Sequence, residues 1–413
     1  MTHTDITGSL INEYRIVKLI GSGAYGLVYQ AQNTVTGQQV AIKCISKKSN
    51  PSVKKQSDYL TTLLAEHLLE RDFSLQGLRE MSLKRLSMAD NIPCPFVREI
   101  SIHLQVHQHP NVISIHKILD SQVAVFVVMD YYPEGDLFVN IVDRQVYARS
   151  SGLIKDVFIQ LIDVISYCHS KGIYHCDIKP ENIMCANKGS KVVIGDFGLA
   201  VKSKYIQSKT CIGSSYYMAP ERLCTMNHSL TRLEYPACKG DIWSLGVILI
   251  NFCCTRNPWM KACEKDATYS AFKKDPKILM EILDISEELW NILCDCFREE
   301  PEERISLFEL RDRVLKCRSF TVAGPLSRCD SYEQDMDDAL ECAVPANESS
   351  VGSDGSLDLP MDHIIEYAQY LQTLSSVKNT AAGNYTQNQF VLDNNIMDNV
   401  SIMSNKSFNM NFA

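Results

Sequence analysis

Between positions 174 and 198 the chain reads YHCDIKPENIMCANKGSKVVIGDFG, and no other stretch limits its fold so sharply. Asp177, Lys179 and Asn182 stand at fixed offsets in a loop, and an apolar run follows. A short β-branched strand at 191–194 then leads into Asp196, Phe197 and Gly198. Carboxylate, ammonium and amide groups in this pattern suit phosphate oxygens and a divalent cation better than a core. Asp177 would accept or orient the proton of a hydroxyl nucleophile, and Lys179 would neutralise a phosphoryl group as charge develops. Asn182 and Asp196 would ligate magnesium. The bland alternative is a polar surface loop.

Upstream, GSGAYGLV spans 21–28, and Gly21, Ser22, Gly23, Ala24, Tyr25, Gly26 and Val28 lie between two strand-like runs. A dinucleotide-binding fingerprint would instead open a helix. Glycines let backbone amides approach phosphates with no Cβ in the way, and Tyr25 would cap the loop tip. Taken alone, a glycine hairpin without a ligand explains the string as well. Val40-Ala41-Ile42-Lys43 ends the next strand and projects Lys43 toward the α- and β-phosphates. Such a lysine needs a carboxylate to hold it. Glu99, in a helix-like segment, is assigned that part, with Glu66 and Glu70 as competitors.

A length of 413 residues predicts one large two-lobed unit plus extra segments. Residues 14–316 read as that unit, with strands at 14–20, 26–32 and 39–45 and mainly helical patterns later. Residues 46–96 carry Leu60, Leu63, Leu64, His67 and Leu68 at helical spacing among many charges. They read as an exposed, partly helical surface insertion, with docking as the alternative role. The tail more than accounts for the net charge of −8, since 319–413 hold 13 acidic against 3 basic residues. No concentrated basic face points to nucleic acid. The tail is rich in Ser, Asp, Asn and Gln and is expected to be largely disordered over 317–413. Within it, 361–374 place Ile364, Ile365, Tyr367, Ala368 and Leu371 near one helical face, as for a segment that folds on a partner.

Sixteen cysteines are scattered without zinc spacing and read as free thiols in a reducing compartment. The first residues lack a secretory pattern, and the longest apolar run, 242–254, falls short of the roughly 20 residues that span a bilayer. The expectation is a buried helix, no membrane, and a cytoplasmic location with the nucleus as an alternative.

GSGAYGLV, VAIK, HCDIKPEN, DFG and Ala219-Pro220-Glu221 occur in the order found in protein kinases, so 14–316 resembles that family. The resemblance implies an α+β, bilobal protein kinase fold with a small β-rich N-lobe and a larger, mainly helical C-lobe. It further implies ATP and Mg2+ as cofactors and proteins as substrates. Lys179 after Asp177, and Gly213-Ser214 before the APE string, are similar to the serine/threonine branch. By the same resemblance Val28, Ala41 and Met184 sandwich adenine, Met129 is the gatekeeper, Asp130 to Tyr132 form the hinge and Asp136 contacts ribose. Ser214 would touch Asp177 and Lys179, Asp241 would be the buried aspartate of a C-lobe helix, and Arg304 would pair with Glu221. The long insertion, the HCD string and the RNPW string at 256–259 resemble fungal Ran/Pat-like kinases of nutrient and meiotic control.

Cys176 is the departure, because most of the family carries arginine there and pairs it with a phosphate on the activation loop. Thr210 aligns with that phosphosite, so activity independent of loop phosphorylation is expected. One rival reading is a pseudokinase scaffold, supported by Cys176 and opposed by Lys43, Asp177 and Asp196. The other is a small-molecule or lipid kinase, opposed by an activation segment bearing Ser214 and Tyr217. The tail or the insertion would serve a regulatory partner.

Overall fold

The strand-rich first part forms one eight-stranded sheet. In chain order its strands are β1 (Leu10–Ile11), β2 (Tyr14–Gly23), β3 (Gly26–Asn33), β4 (Gln39–Ser46), β5 (Ser74–Leu75), β6 (Arg79–Glu80), β7 (Ile115–Asp120) and β8 (Ala124–Asp130). Helices α1 (Gln56–Leu69), α2 (Leu83–Ser87) and α3 (Pro95–Val106) fall between them. In space the strands run β5-β1-β2-β3-β4-β8-β7-β6, all antiparallel neighbours except β1 beside β5. This computed structural model describes residues 6–23, 26–47, 56–88, 94–148, 150–207, 213–223 and 234–322. Ala24, Tyr25, Thr210, the tail from 323 and its periodic segment at 361–374 lie outside the described residues.

The side-chain period of two sorts the central strands between two helices. Val40, Ile42 and Cys44 of β4, with Ala124, Phe126 and Val128 of β8, pack with Leu60, Leu64, Ala65 and Leu68 of α1. The alternate residues Ile45, Val125 and Val127 pack with Ile100 and Leu104 of α3. Lys43, one step from Ile42 and Cys44, therefore emerges on the α3 face. The same register pairs Val28 with Lys43 and Ala41 with Met129, so all four share that face.

Within 46–96, helix α1 is thus not the exposed excursion that the charges suggest, whereas 76–88 holds no buried residue. Leu60, Leu64 and Leu68 are fully buried, and β5 and β6 extend the sheet at its two edges. Each such leucine contributes about 1.5–3 kcal/mol on burial, so α1 is part of the lobe's core. Its charged residues cover only the solvent side.

The second lobe contains α4 (Leu137–Val142), α5 (Ser151–Ser170), β9 (Ile183–Ala186), β10 (Lys191–Ile194), β11 (Tyr205–Gln207), β12 (Glu234–Pro236), α6 (Ala237–Cys254), α7 (Ala267–Lys274), α8 (Ile278–Ile282), α9 (Glu287–Cys296) and α10 (Leu307–Lys316). β9 and β10 form one antiparallel pair, β11 and β12 another. Helix α6 is buried on every side from Gly240 to Phe252, as a helix apolar all round must be. Among the described residues it alone is long and apolar enough to cross a membrane, and 78% of it lies inside the fold. The expected run 242–254 falls within it. Amphipathic α5 lays Ile154, Val157, Phe158, Leu161, Ile165 and Cys168 into the same core.

Two polar groups brace this lobe. Asp241 of α6, fully buried, accepts from the backbone N–H groups of His175 (3.0 Å) and Cys176 (2.9 Å) and pairs with His169 at 2.8 Å. Burial opposes its ionised form, yet His169, His175 and the Cys176 amide hold the carboxyl below the usual carboxylate range. Arg304 donates to both oxygens of Glu221 at 2.7 and 2.6 Å, with both side chains buried. Its guanidinium also lies 4.9 Å from the Trp243 ring.

Candidate active site

The hairpin between β2 and β3 pairs Gly21 with Val28, Ser22 with Leu27 and Gly23 with Gly26. Gly26 could be no other residue, since a Cβ there would stand 2.2 Å from the Cys44 carbonyl oxygen. The two tip residues lie outside the described set.

Beneath the hairpin, Lys43 Nζ lies 2.5 Å from Glu99 Oε1 and 3.3 Å from Asp196 Oδ1. Burial alone would lower the ammonium's pKa, but Asp196 and Glu99 outweigh it and hold it well above the ordinary lysine value. Asp196 is held low, chiefly by Lys43. Burial pushes Glu99 up against the pull of Lys43. Of the three competing glutamates only Glu99 reaches the lysine, because α3 covers the Lys43 face while α1 covers the other. Glu70 instead sits 3.5 Å from Arg71.

The loop between α5 and β9 carries the second group. Asp177 Oδ2 lies 2.9 Å from Lys179 Nζ and accepts from Asn182 Nδ2 at 3.1 Å, while Oδ1 accepts from the Ser214 N–H at 3.0 Å. Lys179 also donates to Ser214 Oγ at 3.0 Å. The Asn182 amide gives a second bond to the Asp177 carbonyl at 2.8 Å, leaving its oxygen as the atom able to meet a cation. Gly195 N–H donates to the Asn182 carbonyl at 2.9 Å and ties this loop to the Asp196 turn. Asp196 itself has φ of +56°, a left-handed conformation that only a well-determined site sustains in a non-glycine residue.

His175 joins the two loops through both ring nitrogens. Nε2 donates to the Gly195 carbonyl at 3.0 Å and Nδ1 accepts from the Asp177 N–H at 3.3 Å. Phe197, fully buried, lies between His175 and His103 of α3, with ring centroids 5.0 and 4.9 Å apart. His103 donates from Nε2 to the Ile113 carbonyl at 2.7 Å, and burial pushes its pKa down to about 4.

The remaining expected residues line the strip between the lobes. Met129 pairs with Ala41 and Ile115 in the sheet, and the Asp130 carboxylate meets His116 at 2.8 Å and the Tyr132 hydroxyl at 3.4 Å. Asp136 caps α4 by accepting from the Val139 N–H at 2.9 Å, and its backbone forms a bridge with Met184. Sequence reasoning passed over His103 and Arg222. His103 had a signal, since it follows Glu99 by one helical turn. Arg222, buried against the Cys176 carbonyl, had none beyond its place after Glu221.

No three His, Cys, Asp or Glu side chains cluster as a metal cage among the described residues. A divalent ion at Asn182 and Asp196 would complete its shell with phosphate and water oxygens, the habit of Mg2+. The residues present fit ATP with magnesium.

The protein kinase domain family matches residues 78–315. The chain is 43% identical over 339 residues to the serine/threonine-protein kinase VHS1 of Saccharomyces cerevisiae, covering 77% of this chain and 73% of that one. It is 40% identical over 346 residues to the serine/threonine-protein kinase SKS1 of the same yeast, covering 78% and 68%. It is 37% identical over 323 residues to a negative regulator of sexual conjugation and meiosis from Schizosaccharomyces pombe, covering 74% and 60%.

Proposed function

The chain belongs to the protein kinase family, and from that premise we propose that it transfers the γ-phosphoryl group of ATP to serine and threonine hydroxyls of proteins through Asp177, Lys179, Asn182 and Asp196. The observation that carries the assignment is the junction of Lys179 with Asp177 and Ser214, at 2.9 and 3.0 Å. It sets a carboxylate for the hydroxyl proton and an ammonium for the phosphoryl charge on one rigid loop. Phosphoryl transfer needs alignment and charge neutralisation more than covalent help, so such a loop suffices. Lys43, steadied by Glu99, takes the α- and β-phosphates under the Gly21–Gly26 hairpin. Val28 and Ala41 cover the adenine from the sheet and Met184 from below, with Met129 and Asp130 to Tyr132 at its edge and Asp136 near the ribose. Bound magnesium would neutralise the β- and γ-oxygens between Asn182 and Asp196. Transfer of labelled phosphate to generic protein substrates should disappear in Asp177→Asn and Lys43→Met. A wild type as silent as both, with ATP still bound, would instead make the chain a pseudokinase scaffold.

The kinase is active without a phosphate on Thr210. Cys176 supplies no positive charge for such a phosphate to meet. Thr210→Ala should keep its turnover within about threefold of wild type, and activity at background would sink this reading. Of the fungal nutrient or meiotic signalling expected for the chain, the meiotic side is supported by the name of the fission-yeast relative, a negative regulator of sexual conjugation and meiosis. Cytoplasm, with the nucleus as alternative, is the compartment supported by the free thiols among the described residues. A tagged chain confined to the secretory route would overturn that. A regulatory partner would engage the acidic tail or the insertion, and deleting 323–413 without any change in bound proteins would exclude the tail.

A further inference from the structure

Cys176 carries the loop's most exacting backbone. Its φ of +65° lies in the left-handed region, which a non-glycine residue occupies only when its surroundings dictate it. Asp241 takes the N–H of Cys176, and the carbonyl on the other side accepts from Arg222 Nη1 at 3.0 Å. That carbonyl belongs to the peptide plane that joins Cys176 Cα to Asp177 Cα. Its direction therefore fixes where the Asp177 carboxylate starts.

Arg222 reaches this point from a frame that is already rigid. It closes the short 3-10 turn Pro220–Arg222, whose Glu221 is gripped by both arms of Arg304. Helix α6 presents Gly240 along its path, where a Cβ would lie 3.4 Å from the arginine Cδ and 3.6 Å from Nη1. Arg222 as a whole is only 7% exposed, so its bond to the carbonyl is sheltered from water. Gly213 rests on the same carbonyl: a Cβ there would stand 3.0 Å from the oxygen and 3.3 Å from Asp177 Oδ1. The next residue, Ser214, gives its N–H to Asp177. One carbonyl thus joins the catalytic loop, the 220–222 turn and the end of the activation segment.

We infer that Arg222 is a positioning residue for phosphoryl transfer: its guanidinium, passing Gly240, fastens the Cys176 carbonyl and so aims Asp177, from a place that needs no modification of the activation segment. The inference rests on the reading of Asp177 as the group that handles the substrate hydroxyl. The Arg222 bond falls on the Cys176 carbonyl, in the loop that carries Asp177, so turnover and nucleotide binding should separate when it is changed.

The test compares the full chain with Arg222→Met, which keeps the aliphatic length and removes the donors, and Arg222→Lys, whose single donor is shorter. Turnover, KM for ATP, calorimetric Kd for ATP and melting are measured for each. Misplacing a reacting group by about 1 Å costs on the order of 100-fold in rate. Arg222→Met should lose about that much in kcat, and Arg222→Lys about tenfold, with the Kd and KM for ATP within about twofold of wild type. Where Arg222→Met fails to melt cooperatively, Arg222→Lys decides by the same split. A kcat within about threefold of wild type in a folded variant overturns the inference, as does a loss of ATP affinity equal to the loss of turnover. A wild type that transfers nothing removes the reading beneath it, whereas an active wild type matched by both variants removes the inference alone.

Discussion

The two lysines of the site are held in opposite ways. Lys43 draws its carboxylates from distant segments, Glu99 on α3 and Asp196 after β10, 56 and 153 positions away in the chain. Helix α3 is joined to the sheet through a small cluster around Ile45, Ile100, Leu104 and Val127, and its Ile102 and Val106 reach the main core. Lys179 finds Asp177 in its own loop and Ser214 nearby, and behind that loop stand Asp241 and Arg222, sunk in the main core. Moving α3 would take Glu99 from Lys43 and leave it Asp196 alone, while the second group yields only if the C-lobe opens.

The largest expected effect tests whether the two groups act separately. Asp177→Asn should cost about 10³–10⁴-fold in kcat while ATP Kd stays within about twofold, because its contacts are confined to the lower loop. Glu99→Gln should instead weaken ATP binding together with turnover, since the Lys43 ammonium loses its nearer carboxylate. Equal profiles for the two variants, measured by steady-state kinetics and calorimetry, would erase the distinction.

Next in size is the anchorage of the lower group. Glu221→Gln leaves the Arg304 charge buried with one neutral partner, and breaking a buried pair this way costs about 3–5 kcal/mol. The melting temperature should fall by roughly 6–15 °C on the scale of domains this large. A shift under about 2 °C would mean that the C-lobe frame does not depend on this pair, and that the lower loop is less fixed than the contrast requires.

What could be read in the chain follows the same contrast. Asp177, Lys179, Asn182 and Asp196 were legible because their spacing is short and the loop is local. Glu99 was ambiguous against Glu66 and Glu70, since the face that each helix turns to Lys43 is decided by sheet packing and leaves no mark in the sequence. The burial of α1 was misread for a related reason. Glu66, Glu70 and Arg71 made the segment look solvated, although the spacing of Leu60, Leu64 and Leu68 already described a face that needed covering. Two-residue strands such as β5 and β6 are too short to show any period. Arg222 was invisible because its partner is a carbonyl, and a carbonyl exists at every position.

The smallest effect probes the upper group through His103, one turn beyond Glu99 on α3. Its ring is buried against Phe197 and bonded to the Ile113 carbonyl, with Lys43, His107 and Asp196 as the neighbouring charges. Burial is the main reason that its pKa falls to about 4, with Lys43 and His107 adding to the drop and the Ile113 carbonyl and Asp196 opposing it. The unfolded chain, with a histidine pKa near 6.5, binds the proton more readily than this arrangement does. Stability therefore rises with pH between those two values and is lost as pH falls from about 6.5 toward 4. At pH 5 the loss from this residue is about 2 kcal/mol, with no contribution above pH 7. Denaturant unfolding at pH 7 and pH 5 should show that excess in wild type over His103→Leu, and hydrogen exchange should place it first in α3. Identical pH dependence in both proteins would mean that α3 does not feel this proton. The same excess spread evenly over α5 and α6 would mean that the upper group is no looser than the lower.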